Sequence, residues 1–273
     1  GFNIAGYIDR LDLSGDGKVT TSFNTNNDVS RDSVLQSDGK IVLVGSSNTV
    51  SSDDFSIVRY NADGTLDTTF SGDGLQTVAF GGTLDVAHTV ALQADGKIVL
   101  AGRYFNGTSY AMAIARLGTT GTLDTTFSGD GMQLVDVSAN TDAAYSVAVQ
   151  SDGAIVLAGP SGDGVTDDFA VVRLTSAGAL DTTFSGDGML TTSLGSGLDQ
   201  ANSVALLSDG RIVAAGLSSN GANNDFAVVR YGSTGTVDTT LGGTNTLNGA
   251  PTFTEGGAAV VLNSDGGEPR GLR

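Results

Sequence analysis

The sequence predicts an all-β chain made of repeated small sheets, on three observations. A 57-residue step recurs along the chain: the string DTTFSGDG stands at Asp67–Gly74, Asp124–Gly131 and Asp181–Gly188, and a shortened copy, DTTLGG, begins at Asp238. Each step reads as short apolar runs broken by Asp-Gly and Gly-rich turns. No run of comparable length carries a 3.6-residue apolar period, so helix is expected to be minor.

Two more strings keep the same register. SDGKIVLVG begins at Ser37, and its counterparts begin at Ala94, Ser151 and Ser208. FSIVRY from Phe55 is matched by MAIARL from Met112, FAVVRL from Phe169 and FAVVRY from Phe226. The third unit shows the elements in order. Ser146–Gln150 is a first strand and Ser151–Gly153 a tight turn, because Asp and Gly tolerate positive φ. Ala154–Gly159 returns as a second strand, and Pro160–Asp168 reads as a polar loop. Phe169–Leu174 is a third strand. A turn, the extended piece Ala179–Phe184 and the SGDG turn then lead to a fourth strand, Met189–Leu194.

Four short antiparallel strands per unit predict a β-propeller blade. A β-helix coil is much shorter, and an immunoglobulin-like sandwich needs seven strands per unit. First-, third- and fourth-strand types each occur five times if Phe2–Ile8, Gly17–Phe23, Thr246–Phe253 and Ala258–Leu262 are counted. The expected fold is therefore a propeller of five four-stranded blades. The two ends share one blade, which removes both open edges. An unclosed array is the structural rival. Residues 1–249 are assigned to the repeats, and residues 250–273 to a closing strand or to the start of a following module.

Composition excludes several classes. Thirty acidic residues stand against 13 basic ones, a formal charge of −17, which repels nucleic acid and anionic lipid. Without Cys there is neither a disulfide nor a thiolate metal site. No 18-residue apolar run is present to span a membrane, and no signal peptide is visible. A chain that starts at Gly1 reads as a processed or excised piece of a larger multidomain protein.

Period-two alternation puts Phe169, Val171 and Arg173 on one strand face and Ala170, Val172 and Leu174 on the other, so both faces are apolar apart from the Arg. Arg59, Arg116, Arg173 and Arg230 are each followed eight residues later by Asp67, Asp124, Asp181 and Asp238. The expectation is a bidentate, partly buried ion pair in each unit. Phe70, Phe127 and Phe184 are expected to plug the space between units. Asp16, Asp73, Asp130 and Asp187 of the SGDG turns are the candidate metal ligands, with Ca²⁺ as the candidate ion and no other cofactor. The run from Asp12 imitates half of an EF-hand, but its twelfth position is Phe23.

One column distinguishes the units. Asp28, Asp85, Asp142 and Asp199 precede the first strand, and three residues later stand Arg31, His88, Tyr145 and Asn202. In a propeller the innermost strand lines the axis, so its entry loop would rim a channel mouth. A fixed Asp beside a varying neighbour is the pattern of an asymmetric polar ligand site on a symmetric scaffold. Among the loops between second and third strands, the segment from Arg103 and Tyr104 through Phe105 to Tyr110 adds aromatic groups suited to a sugar face or a partner surface.

The pattern SDGKIVLVG…FSIVRYNADGTLDTTFSGDG resembles the delta-60 repeat, a bacterial β-propeller family without assigned function, over Gly15–Gly243. The resemblance implies a secreted or cell-surface bacterial protein and supplies no catalytic residues. Ala250–Asp265 resembles the opening of a cadherin-like or immunoglobulin-like adhesin module. The functional expectation is a non-catalytic binding, adhesion or scaffold domain that recognises a glycan or a protein. The alternatives are a glycan hydrolase or lyase using channel carboxylates, and a structural spacer. The chain is expected not to be an enzyme, because its Asp residues are nearly the same in every unit and chemistry normally breaks the repeat.

Overall fold

The computed structural model describes residues 17–48, 52–163 and 165–241, and these form an all-β fold of 16 strands in three sheets. The first unit holds β1 (Asp28–Leu35), β2 (Ile41–Asn48), β3 (Asp53–Tyr60) and β4 (Leu75–Val78). The second holds β5 (Val86–Leu92), β6 (Ile98–Phe105), β7 (Tyr110–Leu117) and β8 (Met132–Val135). In the third the first strand is split into β9 (Thr141–Asp142) and β10 (Ser146–Val149), followed by β11 (Ile155–Gly162), β12 (Asp168–Leu174) and β13 (Met189–Thr192). The fourth has β14 (Asp199–Leu206), β15 (Ile212–Ser219) and β16 (Asn224–Tyr231). Within each unit, successive long strands pair antiparallel.

The units are not cleanly separate four-stranded blades. A parallel bridge between Tyr110 and Thr141 fuses the second and third into one nine-stranded sheet. The same junction recurs as backbone bonds from the Asp85 N–H to the Asp53 carbonyl (2.8 Å) and from the Asp199 N–H to the Asp167 carbonyl (2.6 Å). The fourth unit shows three strands among the described residues. The segments Phe2–Ile8, Thr246–Phe253 and Ala258–Leu262, and the 250–273 assignment, lie outside them. Gly17–Phe23, expected as a strand, has no strand pairing.

The core sits in the seams between units. Phe55, Ile57 and Phe70 of the first unit pack with Ile98, Leu100 and Leu117 of the second. Met112, Ile114 and Phe127 pack with Ile155, Leu157 and Val172. Phe169, Val171 and Phe184 pack with Ile212, Val229 and Tyr231. Val171 and Val172 thus serve opposite seams, as a period of two requires. Phe70, Phe127 and Phe184 are each fully buried, as expected of plugs.

The DTTF string docks each unit onto the next. The N–H groups of Ser71, Ser128 and Ser185 donate to the carbonyls of Thr120, Ala177 and Thr234, one unit further on. The ring of Phe70 lies against Gly121, where a Cβ would stand 2.9 Å from it. Gly121 also has φ of +88°, so that turn requires glycine twice over.

The Arg–Asp pairs form, but they are not bidentate. Arg59 Nε meets Asp67 Oδ2 at 2.7 Å, and the later pairs repeat this at 2.9, 2.8 and 2.7 Å. The other carboxylate oxygen is occupied by a threonine two residues on, for example Thr69, whose hydroxyl and N–H both donate to Asp67 Oδ1. The spare guanidinium nitrogens reach outward, Arg59 Nη1 to the Thr119 carbonyl (2.6 Å) and Arg173 Nη1 to that of Ser233 (2.6 Å). Arg59, Arg116 and Arg173 also cover Phe70, Phe127 and Phe184, with Arg59 4.6 Å from the Phe70 ring centre. Burial alone would raise the Asp124 carboxyl, but bonds from Thr126 and the Arg116 charge hold it down at about 2.

Phe127→Ala removes a plug from a seam that has nothing else to fill it. It is expected to cost ~3–5 kcal/mol, measured by chemical denaturation, while an exposed control such as Thr125→Ala changes little.

Candidate functional site

The first strands of successive units lie side by side: β1 against β5, β5 against β10, and β10 against β14. Side chains of these first strands stitch the row. Asp32 Oδ2 accepts the Val90 N–H at 2.9 Å, and Ser146 Oγ accepts the Val204 N–H at 3.1 Å. The sequence reading missed these two residues. The available signal was their place next to the variable column.

The Asp column is committed to backbone. Oδ2 of Asp28, Asp85, Asp142 and Asp199 accepts the N–H of Phe23 (2.9 Å), Phe80 (2.9 Å), Val137 (2.9 Å) and Leu194 (2.6 Å). Each thereby ties the preceding segment to the start of a first strand. Asp85, Asp142 and Asp199 are fully buried, and burial pushes the Asp85 carboxyl up. In the third unit Ser138 Oγ also bonds Asp142 Oδ1 (3.0 Å), whereas Oδ1 of Asp28, Asp85 and Asp199 is buried without a partner. These carboxylates position the chain and are not free acids.

The variable column lies within the first strands and not on an entry loop. Pairing skips one residue between Ser30 and Asp32, between Ala87 and Thr89, and between Ala201 and Ser203. The skipped residues are Arg31, His88 and Asn202. Tyr145 occupies the same place in the break between β9 and β10. The bulge has a cause in the facing strand: a Cβ on Gly102 would stand 1.9 Å from the Val86 carbonyl oxygen, so only glycine admits it. A bulge re-aims its side chain. His88 consequently meets Tyr145 of the next unit edge-on, with ring centres 4.9 Å apart.

Arg103 and Tyr104, expected on a loop, belong to β6, and Tyr110 belongs to β7. The hairpin continues to the Phe105–Tyr110 pair. Arg103 covers the Tyr110 ring at 4.9 Å, and Phe105 lies 4.5 Å from the same ring. Tyr104 packs instead against the first seam. Arg103 thus stands in the strand beside the His88 bulge, with Arg31 on the adjacent first strand. Burial, and then the charges of Arg103 and Arg31, push the His88 imidazole down to about 3. His88 Nε2 and Arg103 Nε are buried with no hydrogen-bond partner.

The SGDG carboxylates close their own turns. Oδ1 of Asp73, Asp130 and Asp187 accepts the N–H of Leu75, Met132 and Met189, each at 2.9 Å. Asp16 and the half EF-hand lie outside the described residues. Among the described residues no group of three or more His, Asp or Glu stands together to hold a metal ion. No helix there is long and apolar enough to cross a membrane.

His88 is the only histidine, so it reports alone near pH 6. Its folded-state pKa lies below the unfolded value of 6.5, so below pH 6.5 the unfolded chain binds a proton that the folded chain refuses. Stability therefore falls as pH drops from 7 towards 5. Thermal melts of His88→Asn are expected to lose less over that interval than the parent chain does.

A family described as a domain of unknown function with a β-propeller fold (DUF5122) matches residues 36–70, 93–127, 150–184 and 207–241, just over half the chain. Neither a delta-60 repeat nor a cadherin-like or immunoglobulin-like module is matched. No curated protein sequence matches. Among solved structures, the chain is similar to a candidate glycoside hydrolase from Parabacteroides distasonis (12% identity, 77% of this chain and 70% of that one, TM-score 0.42). It is also similar to the polysaccharide lyase Uly1 (14%, 81% and 55%, TM-score 0.43), of which it spans about half the length. A third is the arabinanase Arb43A of Bacillus subtilis (11%, 77% and 75%, TM-score 0.34). These likenesses are too distant to assign an activity. The expectation that the chain is not an enzyme is nevertheless corrected, because sugar-polymer-active proteins recur among the structures it resembles. The four matched stretches coincide with the four described units, and the chain belongs to this β-propeller domain family of unknown function.

Proposed function

We propose that this chain is a glycan-directed β-propeller domain of an extracellular bacterial protein, with its site where the first strands meet. One observation carries the reading. Four units that repeat almost residue for residue differ at the bulge, where the row of first strands presents Arg31, His88, Tyr145 and Asn202. A scaffold role alone gives no reason for these four to differ in kind. Tyr145, half-buried, offers ring surface to a sugar, and the other bulge residues offer polar contacts.

Five-blade closure belongs to this proposal. The Tyr60 hydroxyl donates to Thr21 Oγ1 (2.7 Å) just as that of Tyr231 donates to Thr192 Oγ1 (3.0 Å). Phe23 packs on Val58, Tyr60, Leu66 and Leu75. The segment before β1 therefore sits where the outermost strand of a preceding unit would sit. Phe226 is fully exposed, whereas its counterparts Phe55, Met112 and Phe169 are each buried by the next unit. A fifth unit assembled from both ends would cover that face. Residues 1–249 would then make the propeller, and residues 250–273 its closing strand or the start of a following module.

Catalysis on the bound saccharide is a second reading. It is favoured by His88, whose Nε2 is buried without a partner beside the Tyr145 ring and is open to a hydrogen bond from a bound group. The test is a glycan array, followed by titration of the best hits and assay for new reducing ends. Saturable binding that falls at least about tenfold in Tyr145→Ala is expected. If no saccharide is retained, or if Tyr145→Ala binds unchanged, the proposal is wrong.

A further inference from the structure

Among the described residues, the seven arginines divide into two sets. Arg59, Arg116, Arg173, Arg211 and Arg230 each hold an aspartate at 3.1 Å or less. Arg31 and Arg103 hold none. In a chain of charge −17, a cation without a carboxylate partner is the exception. Both exceptions stand beside the same histidine, one from the β1 bulge and one from β6 next to the β5 bulge.

The carboxylates that flank Arg31 and precede His88 are held by backbone N–H groups, Asp28 by that of Phe23. Asp32 accepts the N–H groups of Val90 and Ser33, and Asp85 accepts that of Phe80. Arg31 is exposed, whereas Arg103 Nε and His88 Nε2 are buried and unpaired. An unpaired buried donor costs free energy, and an incoming acceptor would remove that cost. A cavity of about 790 Å³ on the opposite face of the second seam offers a contrast. Its Lys97 and Arg116 are both held by Asp124, and Lys97 by Asp95 as well, so they present no free charge.

We propose that Arg31 and Arg103 form an anion subsite beside His88, which takes one carboxylate or sulfate group of an acidic saccharide. The subsite rests on the reading of the mouth as a saccharide site and narrows it to uronate-bearing or sulfated sugars. Arg103 is pre-aimed by its stacking on Tyr110, and Arg31 closes from the exposed side. His88 stays neutral near pH 7 and contributes Nε2 as a hydrogen-bonding group, not as a charge.

The test is calorimetric titration of the whole chain at low salt with four probes: tetragalacturonate, its full methyl ester, a sulfated chondroitin tetrasaccharide and sodium sulfate. At least one acidic tetrasaccharide is expected to bind. Its affinity should fall about tenfold or more in Arg31→Gln and in Arg103→Gln, with melting temperature unchanged. For the uronate, the ester should bind correspondingly worse. Arg31 is exposed and unpaired, so Arg31→Gln keeps the test valid if Arg103→Gln fails to fold. Equal binding of tetragalacturonate and its ester, or full affinity in Arg31→Gln, overturns the subsite while leaving the saccharide reading intact. Sulfate binding that depends on Arg31, without binding of any saccharide, upholds the anion subsite and sinks the saccharide reading. Failure of all four probes overturns the subsite.

Discussion

The seam between successive units is the constraint on which this structure depends. A four-stranded sheet with apolar residues on both faces has no stable existence in water by itself. Each unit hides one face against the unit before it and the other against the unit after it, and Val171 and Val172 illustrate the division. The DTTF string is the coupling. Its Phe fills the seam, the following Ser donates across it, and the Arg that holds its Asp also reaches a carbonyl of the next unit. The repeated letters are therefore repeated because every seam has the same geometry to satisfy.

Once the seams are fixed, the first strands are free to differ. Their backbone is held by pairing to the second strand, by the Asp caps at their start and by side chains such as Asp32 that reach the next first strand. The bulge side chain forms none of these bonds, so its identity is free to vary from unit to unit. A glycine in the facing strand pins this position in every unit and keeps the re-aimed side chain in register from unit to unit. The distribution of charge follows the same separation. The arginines in the seams are neutralised, whereas Arg31 and Arg103, beside His88, hold no carboxylate.

The repeat, the all-β class, the strand order and the Phe plugs were legible in the sequence, because each follows from a period or a spacing. The Arg–Asp pairing was legible from its eight-residue spacing, but its geometry was not. Two threonine donors compete for the second carboxylate oxygen, which a spacing argument cannot reveal. The second-to-third loops were read too long. β11 continues through Pro160, and β6 continues through Tyr104 and Phe105, because hairpin pairing overrides local composition. The variable column was found by its contrast with the fixed Asp. Its placement on a bulge was hidden, because in a strand such as β5, with apolar residues on both faces, a one-residue shift of phase moves apolar residues only from one apolar face to the other.

The most direct measurement takes one unit out of its surroundings. Residues 80–136, prepared as a separate peptide, carry every strand of the second unit but neither seam partner. The account predicts a disordered circular dichroism spectrum and no cooperative melt at a concentration where the peptide is monomeric. A sharp thermal transition of monomeric peptide would show that the sheet is stable without its neighbours, and would contradict the claim that the seams hold the fold.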